Sequence, residues 1–114
     1  MQVTEERPWG TFTVLTEGEA FKVKKIVVNQ GHRLSLQYHF KRSEIWTVVE
    51  GDGLMTLDGT HFRVMEGSVV RIPKTAVHRI ENDGKRPLVI IEVQKGKYLG
   101  EDDIVRMQDD YERK

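Results

Sequence analysis

Short apolar runs alternate with turn-forming residues along most of the chain. Turn signals that contain glycine recur along the chain, for example at Asp58-Gly59 and Glu66-Gly67, which are eight residues apart. The runs between the turns are rich in Val, Ile, Leu, Thr and aromatic residues. They predict strands at Phe12–Thr16, Phe21–Val28, Leu34–His39, Ile45–Glu50, Leu54–Leu57, His61–Val64, Val69–Ile72, Val77–Glu81 and Leu88–Gln94. Many short strands at this spacing are typical of an all-β sandwich or barrel.

Two positions bound the predicted strands sharply. Asp58-Gly59 separates two apolar stretches, and a two-residue hairpin turn needs the positive φ angles that aspartate and glycine tolerate. Pro73 follows Ile72 and has no N–H to donate to a strand ladder, so we expect the strand to end there. The pattern therefore predicts a tight hairpin at 58–59 and a strand end at 72.

The C-terminal tail, Glu101–Glu112, is the helix candidate. Three acidic residues crowd its first turn and two basic residues follow its end, which suits the helix dipole. Ile104, Met107 and Tyr111 fall at i, i+3 and i+7 and give one apolar stripe. We expect a short C-terminal helix docked on the barrel, with a lid over the barrel mouth as the alternative.

The composition fits one globular domain over residues 1–114, with 38% hydrophobic and 32% charged residues. Basic and acidic residues balance at 18 each, which disfavours a general nucleic-acid binder. Because the chain has no cysteine, a metal would need nitrogen and oxygen ligands. The polar N-terminus lacks a signal-peptide core and the apolar runs are too short to span a membrane. We expect a cytoplasmic protein without membrane partners.

Four polar side chains form a candidate metal site: Gln37, His39, Glu44 and His78. Gln37 and His39 point to the same side of a strand, because side chains on a strand alternate faces. Glu44 begins the next strand after a short connection, and His78 joins them only through the fold. Two imidazoles, a carboxylate and an amide oxygen suit a borderline-hard divalent ion with an open coordination position.

The spacing of these residues resembles the two motifs of the cupin superfamily. The first motif is matched by Gly31, Gln37, His39, Glu44 and Gly51, and the second by Gly67, Pro73, His78 and Asn82. The resemblance implies a cupin double-stranded β-helix, a jelly-roll barrel. Gln37 stands where most cupins have histidine, and Thr75 stands where the second motif often has glycine. With two neutral histidines and one carboxylate, a divalent ion keeps a charge of about +1, which favours a Lewis acid over a redox centre.

Longer motifs narrow the resemblance. They are Arg7-Pro8-Trp9-Gly10, Leu34-Ser35-Leu36-Gln37, His78-Arg79-Ile80, Ile91-Glu92-Val93-Gln94 and the run Tyr98–Ile104. Together they resemble the C-terminal cupin domain of type II mannose-6-phosphate isomerases, which is commonly fused behind a mannose-1-phosphate guanylyltransferase domain. The resemblance implies zinc-dependent interconversion of mannose 6-phosphate and fructose 6-phosphate, with Gln37, His39, Glu44 and His78 as the metal ligands. A stand-alone cupin without a Gly-rich phosphate loop is not expected to transfer guanylyl groups.

Aldose–ketose isomerisation through a cis-enediolate needs donors for an oxyanion, a base near the C–H and cations for the phosphate. Arg42 lies between His39 and Glu44, so we expect it near the site. The other candidate cations are Lys22, Lys24 and Arg79, as phosphate ligands. For the two lysines the alternative is a solvated strand face, and for Arg79 it is a structural ion pair.

The candidate base is Glu92, which lies in an apolar run where an unpaired carboxylate would be costly. A salt bridge to an inward lysine is the alternative role for Glu92. Lys24, with a lowered pKa, is the competing base. Trp46 is expected to pack in the core, with a sugar-stacking role as the alternative.

Two other function classes stay open. The chain could be a non-catalytic sugar-phosphate-binding cupin, or another cupin enzyme such as an Fe(II) dioxygenase or a sugar epimerase. The expected partner is a small-molecule sugar phosphate, and edge-strand pairing suggests a homodimer.

Overall fold

Two antiparallel β-sheets form the protein in the computed structural model, which describes residues 3–111. The strands are β1 (Thr4–Arg7), β2 (Gly10–Glu17), β3 (Phe21–Val28), β4 (Leu36–Tyr38), β5 (Arg42–Glu50), β6 (Asp52–Leu57), β7 (Thr60–Met65), β8 (Val69–Ile72), β9 (His78–Glu81), β10 (Leu88–Gly96) and β11 (Val105–Gln108). The larger sheet has the order β1-β2-β3-β10-β5-β8, and the smaller has the order β11-β4-β9-β6-β7.

Both sheets contribute side chains to one apolar core. Val28 and Ile90 come from the larger sheet and Met55 and Ile80 from the smaller, and all four are at most 1% exposed. Burial of this kind is the main favourable term in folding. The alternation of buried and half-buried residues along most of β5 and the second half of β10 shows that one face of each strand is turned inward.

The predicted hairpin and strand end are both confirmed. Leu57 on β6 pairs with Thr60 on β7, and the two residues between them have positive φ angles of 46° at Asp58 and 82° at Gly59. Strand β8 ends at Ile72, directly before Pro73.

The predicted C-terminal helix is wrong. The segment begins with one turn of 3₁₀ helix at Glu101–Asp103 and continues as β11, which pairs antiparallel with β4. Backbone hydrogen bonds to the open edge of β4 and burial of Asp103 outweigh the local helix signals, because tertiary pairing overrides weak propensity. The end of the predicted helix at Glu112 lies outside the described residues.

The part of the chain that the structure describes contains no helix with the length and apolar character needed to span a membrane.

Candidate metal centre and active-site cavity

The inward faces of two neighbouring strands, β10 and β5, change from apolar to polar along their length. On β10, Ile90 is followed on the same face by Glu92 and then Gln94, and all three are buried. On β5 the inward face changes from Val48 to Trp46 and then to Glu44. Because β10 pairs with β5, these polar residues lie side by side at one end of the barrel. The core therefore opens at that end into a polar cavity.

The cavity has a volume of about 110 Å³. Its lining residues are Arg7, Trp9, Phe12, Lys24, Ile26, Leu34, Gln37, His39, Arg42, Glu44, Trp46, His78, Glu92, Gln94, Glu101, Ile104 and Arg106. Three of the four predicted metal ligands, His39, Glu44 and His78, are buried there with their ligand atoms within 4.8 Å of one another.

The two histidines present unprotonated nitrogens to Glu44. His39 Nδ1 donates to the Asp103 carbonyl oxygen at 3.0 Å, and His78 Nδ1 donates to the Ala76 carbonyl oxygen at 2.9 Å. Because a neutral imidazole carries one proton, both Nε2 atoms then hold lone pairs. These atoms lie 3.3 Å (His39) and 3.8 Å (His78) from the Glu44 carboxylate oxygens.

Burial keeps both imidazoles neutral. It lowers the pKa of His39 to about 4, with the positive charge of Arg42 as the next cause. Burial also lowers the pKa of His78. Three sets of lone pairs therefore converge, and two neutral imidazoles with one carboxylate are a donor set that suits a divalent cation. The residues present fit the metal that the family resemblance implies.

Gln37, the fourth predicted ligand, also lines the cavity. Its backbone pairs with that of His78 across β4 and β9, which places the two residues side by side. The Gln37 amide nitrogen makes a long hydrogen bond of 3.4 Å to the Ser35 carbonyl oxygen. Its amide oxygen is thus the atom available to a cation on this wall.

Glu44 is held in place by two donors. Trp46 Nε1 donates to Oε1 at 2.9 Å, and Arg42 Nε donates to Oε2 at 2.7 Å. The Trp46 ring also meets the His78 ring edge-on, with centroids 5.6 Å apart. Trp46 is 2% exposed and belongs to the apolar core, which agrees with its expected packing role. It also orients a candidate ligand, as partners of metal ligands commonly do.

Arg42 has an unusual environment for an arginine. It is 4% exposed, and its Nη2 lies 3.4 Å from His39 Nε2, whereas its Nη1 is buried without a hydrogen-bond partner among residues 3–111. A buried donor without a partner costs free energy, so it points to an external acceptor. Arg42 lies beside two candidate ligands, since it contacts both Glu44 and His39, as its position between them in the chain led us to expect.

Glu92 is buried in the same cavity. The Gln94 amide nitrogen donates to Glu92 Oε1 at 2.6 Å, while the Gln94 amide oxygen has no partner in the described part of the chain. Burial raises the pKa of Glu92 to about 8, and the negative charge of Glu44 adds to this effect. Perturbed carboxyls inside cavities are candidates for proton transfer.

Lys24 is also turned inward and is 5% exposed. Its ammonium group lies 2.6 Å from Glu101 Oε1 and 4.2 Å from the centre of the Phe12 ring. The lysine therefore has a carboxylate partner from the C-terminal segment. The alternative role of Glu92, a salt bridge to an inward lysine, is not seen for Lys24, because Lys24 forms its ion pair with Glu101.

Two predicted phosphate ligands are held elsewhere. Lys22 Nζ lies 3.4 Å from the Leu99 carbonyl oxygen, outside the cavity lining. Arg79 points away from His78, since neighbours on a strand face opposite sides. Its guanidinium donates to the Leu34 carbonyl oxygen at 2.9 Å and to the side chain of Gln108 at 2.8 Å. Arg79 thus joins β9 to the C-terminal segment.

Other cavity residues were missed by sequence reasoning. Arg106 lies on β11, which the sequence analysis expected to be part of a helix, so strand alternation was not applied to it. Arg7 was noticed only as part of a motif. Asp103 is 8% exposed, and its carboxylate accepts the backbone N–H groups of Phe40 and Lys41, at 3.2 and 2.9 Å. Asp103 lies beside the cavity and not in its lining. The sequence marked it only as one of the acidic residues in the first turn of the expected helix and as part of a family motif.

Comparisons with known proteins identify the family of the chain. The family described as Mannose-6-phosphate isomerase C-terminal matches residues 1–109. The alginate biosynthesis protein AlgA from Pseudomonas aeruginosa is 50% identical over 107 residues, which are 94% of this chain and 22% of AlgA. The chain thus spans about a fifth of the length of that relative.

Solved structures share the fold. The capsular polysaccharide assembling protein CapF from Staphylococcus aureus superposes with a TM-score of 0.83 at 20% identity, covering 95% of this chain and 34% of CapF. The cupin domain of Cnp3 from Schizosaccharomyces pombe gives 0.73 at 18% identity, covering 75% of this chain and 64% of the Cnp3 chain. The all-β cupin prediction is therefore confirmed, and the family match over residues 1–109 places the chain in the mannose-6-phosphate isomerase C-terminal domain family.

Proposed function

We propose that the chain is a metal-dependent aldose–ketose isomerase that interconverts mannose 6-phosphate and fructose 6-phosphate through a cis-enediolate. The observation that carries the proposal is the buried group of His39, Glu44 and His78 in the same cavity as the buried carboxyl of Glu92. Family membership supports the sugar-phosphate substrate class. The site thus combines a candidate metal centre with a candidate proton carrier.

Zinc is the proposed ion, held by His39, Glu44 and His78, with the Gln37 amide oxygen as the fourth ligand. When bound, a divalent ion supplies Lewis-acid polarisation of a sugar carbonyl and stabilises negative charge on oxygen. Support comes from the donor set, which consists only of nitrogen and oxygen atoms, and from the His39 and His78 tautomers.

Arg42 is proposed to bind the sugar oxygen on which negative charge develops. Its Nη1 is a buried N–H donor without a partner in the described residues, and Glu44 fixes the guanidinium through Nε. A donor that is already oriented needs no rearrangement as the charge forms, which is the basis of electrostatic stabilisation in active sites.

Glu92 is the proposed base that moves the proton between C1 and C2. A carboxyl whose pKa is about 8 exchanges its proton near neutral pH, which suits a group that accepts and then returns one. Gln94 holds one Glu92 oxygen by its amide nitrogen. Lys24, the competing base, forms an ion pair with Glu101, and its ammonium group stacks on the Phe12 ring. We therefore propose Lys24 as a cation that attracts the anionic substrate.

The test is a coupled assay of purified, zinc-loaded protein with mannose 6-phosphate, following fructose 6-phosphate. The metal-site control is His78→Ala, and Glu92→Gln tests the base. We expect turnover in the wild type, with loss of both zinc and turnover in His78→Ala. Glu92→Gln should keep zinc and lose about 10²-fold or more in kcat.

Two results would reject the proposal. Folded protein that shows no turnover and no exchange of the C2 proton in D₂O, with zinc and several other divalent ions, would leave the sugar-phosphate-binding module as the better reading. Oxygen consumption with iron would favour a dioxygenase. A cytoplasmic homodimer stays a prediction, which size-exclusion chromatography with light scattering would check for the oligomeric state.

A further inference from the structure

Two cavity arginines come from opposite ends of the chain. Arg7 ends β1 and Arg106 lies on β11, and these strands form one edge of the larger sheet and one edge of the smaller sheet. Both side chains nevertheless line the same cavity. The two sheet edges therefore bring a guanidinium group to the cavity from either side.

Arg7 shares an aromatic support with Lys24. The Arg7 guanidinium carbon lies 4.7 Å from the centre of the Phe12 ring, and the Lys24 ammonium lies 4.2 Å from the same point. Phe12 is 7% exposed, so its position is set by the core. Cations stacked on an aromatic ring are favourably placed by its quadrupole. One fixed ring thus gathers two positive charges at the cavity wall.

Arg7 and Lys24 differ in their acidic partners. Arg7 meets the half-exposed carboxylate of Glu5 only at 3.5 Å, and surface ion pairs of this kind are weak. Lys24 is paired with Glu101. Among residues 3–111, the cationic side chains that line the cavity are Arg7, Lys24, Arg42 and Arg106, and the carboxyl groups are those of Glu44, Glu92 and Glu101. The Glu92 carboxyl accepts a hydrogen bond from the buried Gln94 amide. The lining is suited to an anion.

We propose that Arg7 and Arg106 form the subsite for the phosphate group of the substrate, an assignment that rests on the function proposed above. Two planar guanidinium groups reaching from different strands match the several oxygens of a phosphate, which arginine binds as a fork. The sugar carbonyl end then faces His39, Glu44 and His78. This subsite takes the role that sequence reasoning assigned to Lys22 and Arg79.

Binding measurements on the intact chain test the subsite. The variants are Arg7→Gln and Arg106→Gln, and the matched control is Arg63→Gln, an exposed arginine paired with Asp52 and Asp83. Calorimetry is run on zinc-loaded protein with mannose 6-phosphate, inorganic phosphate and unphosphorylated mannose. We expect each cavity variant to lose about tenfold or more in affinity for both phosphate ligands. The control should stay within about twofold of the wild type.

Two further measurements make the result decisive. Arg7→Lys keeps the charge without the fork and should recover part of the affinity, and thermal unfolding verifies that every variant is folded. Unchanged affinity of both Gln variants for mannose 6-phosphate would overturn the subsite, and so would the same loss for unphosphorylated mannose. Arginine-dependent phosphate binding without turnover would reject the isomerase and keep the subsite. Turnover with an unchanged KM in both Gln variants would keep the isomerase and reject the subsite.

Discussion

His39 and Asp103 are joined by a hydrogen bond from the His39 Nδ1 to the Asp103 carbonyl oxygen, although 64 positions separate them in the chain. The Asp103 carboxylate also accepts the backbone N–H groups of Phe40 and Lys41, so it fixes the connection that follows His39. The C-terminal segment therefore sets both the tautomer and the position of a candidate metal ligand.

Asp103→Ala removes the carboxylate that accepts the backbone N–H groups of Phe40 and Lys41, while the carbonyl that binds His39 remains. The connection after His39 should then be less well fixed, and zinc binding should weaken by roughly tenfold, the size of effect that partners around metal ligands typically have. Competition with a chromophoric chelator would measure it. The matched control is Asp102→Ala, an exposed neighbour on the same 3₁₀ turn whose side chain contacts Tyr98. Equal zinc affinity in wild type and Asp103→Ala would show that the hydrogen bonds of the Asp103 carboxylate do not support the metal site.

Gln94→Leu should lower kcat on the order of tenfold with a smaller change in KM, because Glu92 loses the amide donor that positions it. Steady-state kinetics with mannose 6-phosphate would separate the two parameters. Gln30→Leu, on an exposed turn, is the control and should behave as the wild type. A large rise in KM alone would instead assign Gln94 to substrate binding.

The metal-free protein should lose stability as the pH falls from about 6.5 towards 4. The folded state keeps the pKa of His39 at about 4, whereas an unfolded histidine has a pKa near 6.5, so only the unfolded state gains a proton in this window. The His39 contribution to the free energy of unfolding falls by roughly 2 kcal/mol between pH 7 and pH 5.

Urea unfolding in the presence of a chelator would measure this dependence. His39→Gln should make the dependence less steep, since His78, whose pKa burial also lowers, still contributes. His61→Gln, which changes an exposed histidine, should leave the dependence as in the wild type. The same slope in His39→Gln and wild type would contradict the assignment.

Thr75→Gly should raise the free energy of unfolding by about 1 kcal/mol. Thr75 has a φ of 66°, in the left-handed region that disfavours a β-branched side chain. Glycine loses more backbone entropy on folding, but this cost is smaller than the strain that the substitution relieves. Thermal unfolding would detect the change. As a control, Thr60→Gly on strand β7 should destabilise the protein. A destabilised Thr75→Gly would mean that the Thr75 hydroxyl contact with the Lys74 carbonyl outweighs the strain.

Strand positions and turns were largely predictable because they depend on local periodicity and on residues with special backbone preferences. The hairpin at Asp58-Gly59 needs two positive φ angles, and the end of β8 needs only Pro73. The predicted extent of β4, Leu34–His39, was less accurate, since the strand begins at Leu36. It ends at Tyr38, so His39 lies just beyond it, where Asp103 rather than a strand partner binds the following amides.

The sequence by itself determined the β-rich architecture, the family motifs and the types of side chain available to a metal. Strand alternation is local and predicted that Gln37 and His39 face the same side. Both line the cavity, although His39 lies just beyond the end of β4. Only the tertiary structure decided that β11 forms against β4, that Arg79 binds Gln108, and that Arg7 and Arg106 reach one cavity. The reason is physical: hydrogen bonds to an open sheet edge and burial between distant segments outweigh the local helix signals of the tail.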